Sequence, residues 1–582
     1  MKQDSKQSSA DQVRNTLALL KSLRSKFDKK SADRKLKSLD RLRSIRVFDP
    51  KLLLDYHDLL AYMRAYPDNP KILSAVDSEL VGFEDRVDLY KQETRDKDAH
   101  KLLNSGIAGT TVLHSFGYKA LELLLKAHPD KFDIDWEQME DGGDYDLTDL
   151  LQLLVSWHEN DAIDNDDTVD SQEWLSIARG IWTRTDLGAL HKLFVTSGLP
   201  RNAQEYLFEK LDFWMKWDLT GCPTARNLKR VPVKRIYYQK GPHIGRTRDL
   251  RRELKKKSVP LKSLTLREGR EAVRAINEVL AVRYRELQPL SYANPAEVYS
   301  YEPGRGVQIL VFGASPEIRL PLESNFGAML VRNGLPIGYG VGATLFDRVE
   351  IAINMFPAFR SGESSYVIEQ FFRLFYHHFG SRVFLVRSRQ MGDGDWEPLK
   401  SGAFWFYYKL GFRAVKPRVR ALAEEEHQLI LADRKYRSPL KRLKRLAVSD
   451  VFFHADPSQM DDYEEFPIMN LGYVVTRYFA KKFDGDRRRG TSHAVHSVAR
   501  TLKIRRLDQW SADERTALRR LAPLIVNIPR LREWSNGDKR SLAQLIRSKG
   551  AFREREFVLR SNHHPRFKAA LDKLSTSYEH PE

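Results

Sequence analysis

The stretch Glu350-Ile351-Ala352-Ile353-Asn354-Met355-Phe356-Pro357-Ala358-Phe359-Arg360-Ser361-Gly362-Glu363-Ser364 decides how this chain is read. An apolar run ends in a turn with an arginine and a glycine, and Tyr366, Ile368, Phe371, Phe372 and Phe375 then recur at helical spacing. A strand, a glycine turn and a helix in succession bring the first-turn amides of the helix to the mouth of the turn, where the helix dipole favours an anion. Gly362 would let a ligand approach the backbone, and Arg360 adds a positive charge. A second strand, Val383 to Val386, follows, and then Ala403-Phe404-Trp405-Phe406-Tyr407-Tyr408-Lys409-Leu410-Gly411-Phe412. Gly411 is a natural helix stop, and Lys409 suits the last turn.

Upstream, Gly269 to Leu287 reads as an amphipathic helix. Four short apolar runs come next: Val307 to Phe312, Phe326 to Val331, Ile337 to Phe346 and Val349 to Phe356. Asn333-Gly334 between the second and third is a hairpin signal. Helix, meandering strands and then strand-turn-helix make an α+β pattern rather than a doubly wound one.

The 582 residues exceed a single core, so several domains are expected. A hydrophobic share of 42% with 11% aromatics excludes overall disorder. The formal net charge of +19 favours a polyanionic partner, with simple solubility as the equal alternative. The single cysteine, Cys222, rules out an internal disulfide framework and a multi-cysteine metal site. No apolar run is long enough to cross a bilayer and the N-terminus has no apolar signal core, so a cytoplasmic location is the expectation.

Five regions are expected along the chain. Residues 1–46 form a basic N-terminal arm, helical in part, with Val13, Leu17 and Leu20 on one stripe but too polar to fold by itself. Residues 47–220 read as an all-helical domain. Residues 221–262 are a basic linker carrying Arg226, Lys229, Arg230, Arg248, Arg251 and their neighbours, with Tyr237 and Tyr238 interleaved. Cations with aromatics suit single-stranded nucleic acid, and an ordinary linker packed on the acidic region 130–170 is the alternative. Residues 263–417 carry the α+β pattern, and residues 418–582 read as a C-terminal helical region.

Several motifs point to no chemistry. Ser105-Gly106-Ile107-Ala108-Gly109-Thr110 lacks the lysine of a phosphate loop and reads as a tight turn between helices. Asp164-Asn165-Asp166-Asp167 lacks the glycine and glutamate of a calcium loop. His377-His378 are adjacent and do not face one ligand, and His493 with His496 lacks a third ligand, so no metal site is expected. In the loop Gln390 to Glu397, an aspartate N-cap is the plain reading and a shaped substrate mouth the other.

The turn at Gly362 and the segment Ala403-x-x-Phe406-Tyr407-x-Lys409-Leu410-Gly411-Phe412, in that order, resemble the acyl-CoA site of the GNAT superfamily of N-acyltransferases. The resemblance spans about Leu266 to Lys416. It implies a GNAT-like domain flanked by all-α regions, with acetyl-CoA or another acyl-CoA as the acyl donor. It also implies direct transfer to an amine, on a small molecule or a protein. By resemblance the CoA contacts are Met355, Phe356, Arg360, Ser361, Gly362, Glu363, Ser364 and Phe406. Tyr407 then protonates the leaving thiolate, and Glu350 is the candidate base acting through water, with a strand-end surface carboxylate as its plain alternative. The turn departs from the family pattern Gln/Arg-x-x-Gly-x-Gly/Ala. Its arginine stands two residues before Gly362 instead of three, Phe359 holds the expected place, and Ser364 replaces the second small residue. Glu363 would repel a diphosphate unless its side chain pointed away. The chain after Phe412 reads as helix at Ala421 to Ala432, where the family places two further strands. Two other readings remain: a non-catalytic GNAT-like scaffold, and a nucleic-acid-associated factor using the linker and the arm.

Overall fold

The computed structural model describes the chain except residues 1, 48, 95–98, 140–143, 166–170, 181–182, 246–248, 434, 461–462 and 577–582. The region 1–46 is less arm-like than its polarity suggests. Helices α1 (Lys2–Leu23) and α2 (Lys29–Ser44) bury Val13, Leu17, Leu20 and Leu42 in one core with α3 (Pro50–Ala65), α4 (Pro70–Val81) and α5 (Phe83–Thr94). The buried stripe is sparse, but it meets a complementary stripe on α3 and α4, so burial by neighbours replaces intrinsic stability.

The expected all-helical domain is mixed. Three short strands, β1 (Thr111–His114), β2 (Phe132–Ile134) and β3 (Met215–Asp218), form an antiparallel sheet in the order β1-β3-β2. Met215 and Trp217 point into the core while Lys216 and Asp218 face out, the two-residue alternation of a half-buried strand. The glycine loop at Ser105 to Thr110 leads into β1 and so does not join two helices. Its amides and carbonyls bond inward, with the Ala108 N–H donating to Asn227 Oδ1 at 2.9 Å. Of the calcium-like segment, Asp166 and Asp167 lie outside the described residues.

The main body is a nine-stranded mixed sheet in the order β11-β12-β10-β9-β8-β7-β6-β5-β4. In chain order, β4 (Leu261–Ser263) is followed by α6 (Leu266–Ala281), then β5 (Ala293–Gly304), β6 (Val307–Ala314), β7 (Ser324–Arg332), β8 (Leu335–Leu345) and β9 (Arg348–Met355). These strands run antiparallel as a meander. The β7–β8 turn is Asn333-Gly334, with φ +48 and +80, the left-handed pair a tight hairpin needs. Helix α7 (Ser364–His378) then crosses to β10 (Val383–Val386), which lies parallel to β9.

After β10 come α8 (Trp396–Ser401), α9 (Ala403–Lys409) and β11 (Arg413–Ala414). Helices α10 (Pro417–Ala432) and α11 (Leu440–Ala447) precede β12 (Val451–His454), which pairs antiparallel with both β10 and β11. The region 418–582 is therefore not wholly helical. Val451-Phe452-Phe453 is a short, bulky strand placed between β10 and β11, and the two helices are an excursion between two strands of one sheet. The remaining helices, from Ile468 to Thr576, close around Leu518, Leu521, Leu542 and Leu545. This bundle is tied to the sheet by buried ions. Lys549 Nζ meets Glu554 Oε1 at 2.5 Å, and Glu297 on β5 accepts the Glu554 and Arg555 amides at 2.8 Å each. Among the described residues no helix is long and apolar enough to cross a membrane.

Candidate functional site

Strand β9 runs from Arg348 to Met355, yet it pairs with β10 only at Arg348, Val349 and Glu350. The parallel ladder stops there while β9 continues along β8 to Met355. A gap therefore opens in the sheet beside Ile351 to Met355, and the turn that starts α7 stands at its end.

The two faces of β8 differ. Gly340 and Gly342 lie under α7, so close that a Cβ on Gly342 would sit 2.2 Å from Phe375 Cζ and one on Gly340 3.1 Å from Phe371 Cζ, while one on Gly338 would meet Asn354 O of β9 at 2.5 Å. The opposite face carries Tyr339, Val341 and Ala343, across from Asn354, Ala352 and Glu350 on β9. All six are half-buried although these strands stand in the middle of the sheet. Helix α6 and the short helix Gln288–Ser291 cover β5 to β7 on that face, Leu290 filling the space over Gly327. The cover ends before β8, leaving an open trough floored by small side chains.

At the α7 turn, Gly362 has φ +102, and a Cβ there would meet Tyr66 at 3.1 Å and Tyr62 at 3.2 Å. Glycine is required by the backbone and by α3 alike. Among the described residues the Ser361, Gly362 and Ser364 amides have no protein acceptor, while the Glu363 N–H donates to Tyr66 Oη at 3.3 Å. Arg360 is half-exposed, holding Met355 O at 3.0 Å and Glu397 Oε1 of α8 at 2.6 Å. Phe356 spends its N–H on Ile337 O, and with Met355 it is buried.

Glu363 is fully buried and turned away from the open amides. Arg332 Nη1 stands 2.8 Å from its Oε2, Arg305 Nε donates to the same oxygen at 3.2 Å, and Arg305 Nη2 bonds Oε1. Gln239 Nε2 and the Ile244 N–H donate to Oε1 at 3.0 Å each. Burial alone would raise its pKa, but the His243 ring nitrogen 3.9 Å away, the hydrogen bonds from Arg305 and the charge of Arg332 hold it well below the usual carboxylate range. The basic linker thus packs between α3, the β7–β8 hairpin and the α7 turn. Its other contacts agree: Arg226 bonds Asp58 at 2.7 Å, Lys229 bonds Glu278 at 2.5 Å, and the Val231 N–H donates to Gly334 O at 2.7 Å. None of these contacts is with the acidic region 130–170.

Tyr407 is buried in α9, its ring 5.4 Å from Phe412, which in turn stands 5.5 Å from Phe372 of α7. Burial pushes its phenol pKa well up, so the hydroxyl keeps its proton. Phe406 is half-buried, its ring 5.3 Å from Tyr407. Glu350 is not free: Arg387 Nε donates to its Oε2 at 2.7 Å, and Arg387 Nη1 also holds Asp450 and Glu465 at 2.8 Å. The sheet gap thus lies between the turn and the Glu350 ion cluster. His377 and His378 dock the linker carbonyls of Lys256 and Val259, and Asp395 caps α8. Among the described residues no group of three or more His, Cys, Asp or Glu side chains could hold a metal.

The sequence reading did not single out the far end of the trough. There Tyr339 Oη accepts from Arg285 Nη1 at 3.0 Å and from Asn354 Nδ2 at 3.3 Å, and Arg283 stacks 4.1 Å over Phe356. The sequence reading ran the amphipathic helix on to Leu287, but it ends at Ala281, so Arg283-Tyr284-Arg285 lie beyond it. Tyr284 adopts φ +46 where a helix C-terminus normally has glycine, and the Arg285 N–H reaches back to Leu280 O. Compared with known proteins, the chain matches no family model, no curated protein and no solved structure.

Proposed function

We propose that the chain is an acyl-CoA-dependent N-acyltransferase of the GNAT type, with the donor thioester in the gap between β9 and β10. The observation that carries the reading is the parallel β9–β10 pair that ends at Glu350 while β9 continues, with a helix N-terminus at its far end. The flanking order supports it as well, since β10 is followed across the sheet by β12 and then β11, so the chain does have two strands after Phe412. The nine strands exceed the sheet typical of that superfamily. The additional antiparallel strands widen the side away from the gap.

The turn fits a diphosphate on two counts. The Ser361, Gly362 and Ser364 amides are unspent, and the Glu363 carboxylate is neutralised behind them by Arg305 and Arg332. Arg360 stands beside these amides. In the transfer, the amine nitrogen bonds to the acyl carbon as the carbon–sulfur bond breaks. The nitrogen gives up a proton to water, and the departing thiolate takes one from Tyr407. A phenol whose pKa is raised by burial is held in its proton-bearing form, as a donor must be. Glu350, held by Arg387, lies where the parallel ladder ends and is the side chain of this chain closest to that role of proton acceptor by position.

The test is calorimetric titration of the full chain with acetyl-CoA and with CoA, followed by thiol release in the presence of amines. Binding weakened at least tenfold by Arg360→Glu, and kcat lowered about 10- to 100-fold by Tyr407→Phe at unchanged KM for acetyl-CoA, are the expected results. Absence of heat at millimolar acetyl-CoA overturns the reading.

A further inference from the structure

The trough over β8 and β9 ends in an uncompensated positive cluster. Arg283 donates to Val279 O at 2.7 Å, and Arg285 to Tyr339 Oη at 3.0 Å. Among the described residues neither guanidinium has a carboxylate within salt-bridge distance, and their remaining nitrogens have no protein acceptor and are not sealed from solvent. Arg283 is surrounded by protein yet reached by solvent, which is the condition of a side chain lining a concavity. Burial and the neighbouring Arg226 guanidinium press its pKa well below the usual arginine value. The one nearby acid, Asp58 on α3, is already taken by Arg226 Nη2 at 2.7 Å and by His57 Nδ1 at 3.0 Å. Arg226 and Arg283 therefore share one carboxylate, with Arg285 close enough to Arg283 to add to the positive charge.

Tyr339 supplies a second, independent sign. Its oxygen accepts from both Arg285 and Asn354, so its own proton is left without a protein acceptor. On a half-buried face this is a hydrogen-bond donor directed at whatever fills the trough. Arg285 bonds the Tyr339 hydroxyl, and Arg283 and Tyr339 both pack on the Phe356 ring, at 4.1 and 5.9 Å, so two guanidiniums and a hydroxyl proton share one neighbourhood and each is a donor. A planar or tetrahedral oxyanion satisfies such a set, and a neutral or cationic group does not. The strained backbone at Tyr284 fits the same account. It turns the chain between the two arginines at a conformation non-glycine residues seldom adopt, a cost accepted where position matters.

We propose that the trough selects amines bearing a carboxylate or phosphate group, held by Arg283 and Arg285 over the Tyr339 hydroxyl. That such a molecule is the acyl acceptor rests on the acyltransferase reading; the anion site itself does not. The anion would sit at the Tyr339–Asn354 end, and the amine would extend over Val341 and Ala352 toward the gap beside β9.

Two measurements on the full chain separate these claims. In the first, saturation-transfer NMR without any acyl donor probes β-alanine, O-phosphoethanolamine and neutral ethanolamine at millimolar concentration. Signal for an anionic probe, absent for ethanolamine and lost at least tenfold in affinity in both Arg283→Gln and Arg285→Gln, supports the site. The relative strength of β-alanine and O-phosphoethanolamine tells carboxylate from phosphate. No signal, or signal unaltered by both substitutions in folded protein with unchanged circular dichroism, overturns it. In the second, thiol release from acetyl-CoA is followed with the same amines. Turnover at least tenfold faster with an anionic amine than with ethanolamine, a preference lost in Arg285→Gln while the KM for acetyl-CoA stays put, supports the acceptor assignment. Equal rates overturn it. No turnover with any amine, alongside intact probe binding, overturns the acyltransferase reading and leaves the anion site standing.

Discussion

Replacing Glu363 with glutamine removes the negative charge between the buried Arg332 and the partly exposed Arg305. Arg332 is fully buried, faces Glu363 at 2.8 Å and has only one other side-chain contact of polar kind, a 3.3 Å bond from Nη2 to Gln239 Oε1. Its other surroundings are the rings of Tyr66 and Tyr237, at 4.7 and 5.6 Å. Breaking a buried pair by removing one partner costs about 3–5 kcal/mol, because the charge left behind cannot reach water. Arg305 is a quarter exposed and can turn outward, so the penalty belongs mainly to Arg332. The cost falls on the contact between α3, the linker at Gln239 to Ile244 and the start of α7. A chain of several cores does not unfold in one step, so a local measurement is the suitable one. Hydrogen exchange of peptides covering Tyr62 to Tyr66, Gln239 to Ile244 and Gly362 to Val367 should accelerate by about 10²- to 10³-fold in Glu363→Gln, at the 1.4 kcal/mol per decade of an equilibrium constant. Peptides of the bundle around Leu518 should not change. Adding Arg332→Met to Glu363→Gln should restore most of the protection, since no buried arginine is then left without its counter-ion. Exchange in Glu363→Gln within threefold of wild type would refute the assignment of Glu363 as an internal counter-ion.

Three further outcomes follow from other contacts. His57 is buried against Phe83, its Nε2 has no partner, and burial lowers its pKa to about 4. The unfolded chain therefore binds this proton first, so stability present above about pH 6.5 falls as pH drops toward 4, by about 3 kcal/mol; His57→Gln should flatten that part of the pH–stability profile relative to wild type. Gly342→Ala drives a methyl into Phe375 at 2.2 Å and should destabilise the sheet by about 1–3 kcal/mol, read as a lower midpoint in denaturant, whereas Gly472→Ala, with open space around it, should be neutral or better. Lys549→Met removes the nearer of two cations on Glu554, leaving Arg319 at 3.6 Å, and should loosen the C-terminal bundle on β5, seen as protease cleavage between Gly550 and Arg555 before the sheet is cut.

The central strands were legible because their signals are local. Asn333-Gly334, the apolar runs around it and the glycine stop at Gly411 each depend on a few neighbouring residues. β12 was not legible, since Val451 to His454 is four residues long and follows two helices; only pairing with β10 and β11 makes it a strand. The same limit hid β1 to β3 within helical surroundings. Glu363 could be recognised as awkward beside a phosphate, but its partners are Arg305, Arg332 and Gln239, up to 124 residues away. Nothing periodic announces a long-range ion pair.

The linker shows that composition alone does not say which charges are free to meet a partner. Its cations suggested nucleic acid, yet Arg226, Lys229 and Arg230 each face a carboxylate of the same chain, on Asp58, Glu278 and Asp77. A count of charges cannot tell a basic strap that fastens α3 to the sheet from a basic surface that waits for a polyanion. What separates them is whether the charges are spent. By that criterion Arg226, Lys229 and Arg230 point to no outside partner, whereas the unspent cations of the trough, Arg283 and Arg285, point to a ligand. They are also where the alternation of β8 matters most. Gly340 and Gly342 let α7 press against one face, while Tyr339, Val341 and Ala343 keep the other shallow and open. A single strand thus closes the core on one side and floors the trough on the other, and a larger side chain at Val341 or Ala343 would fill the trough without touching the packing of α7.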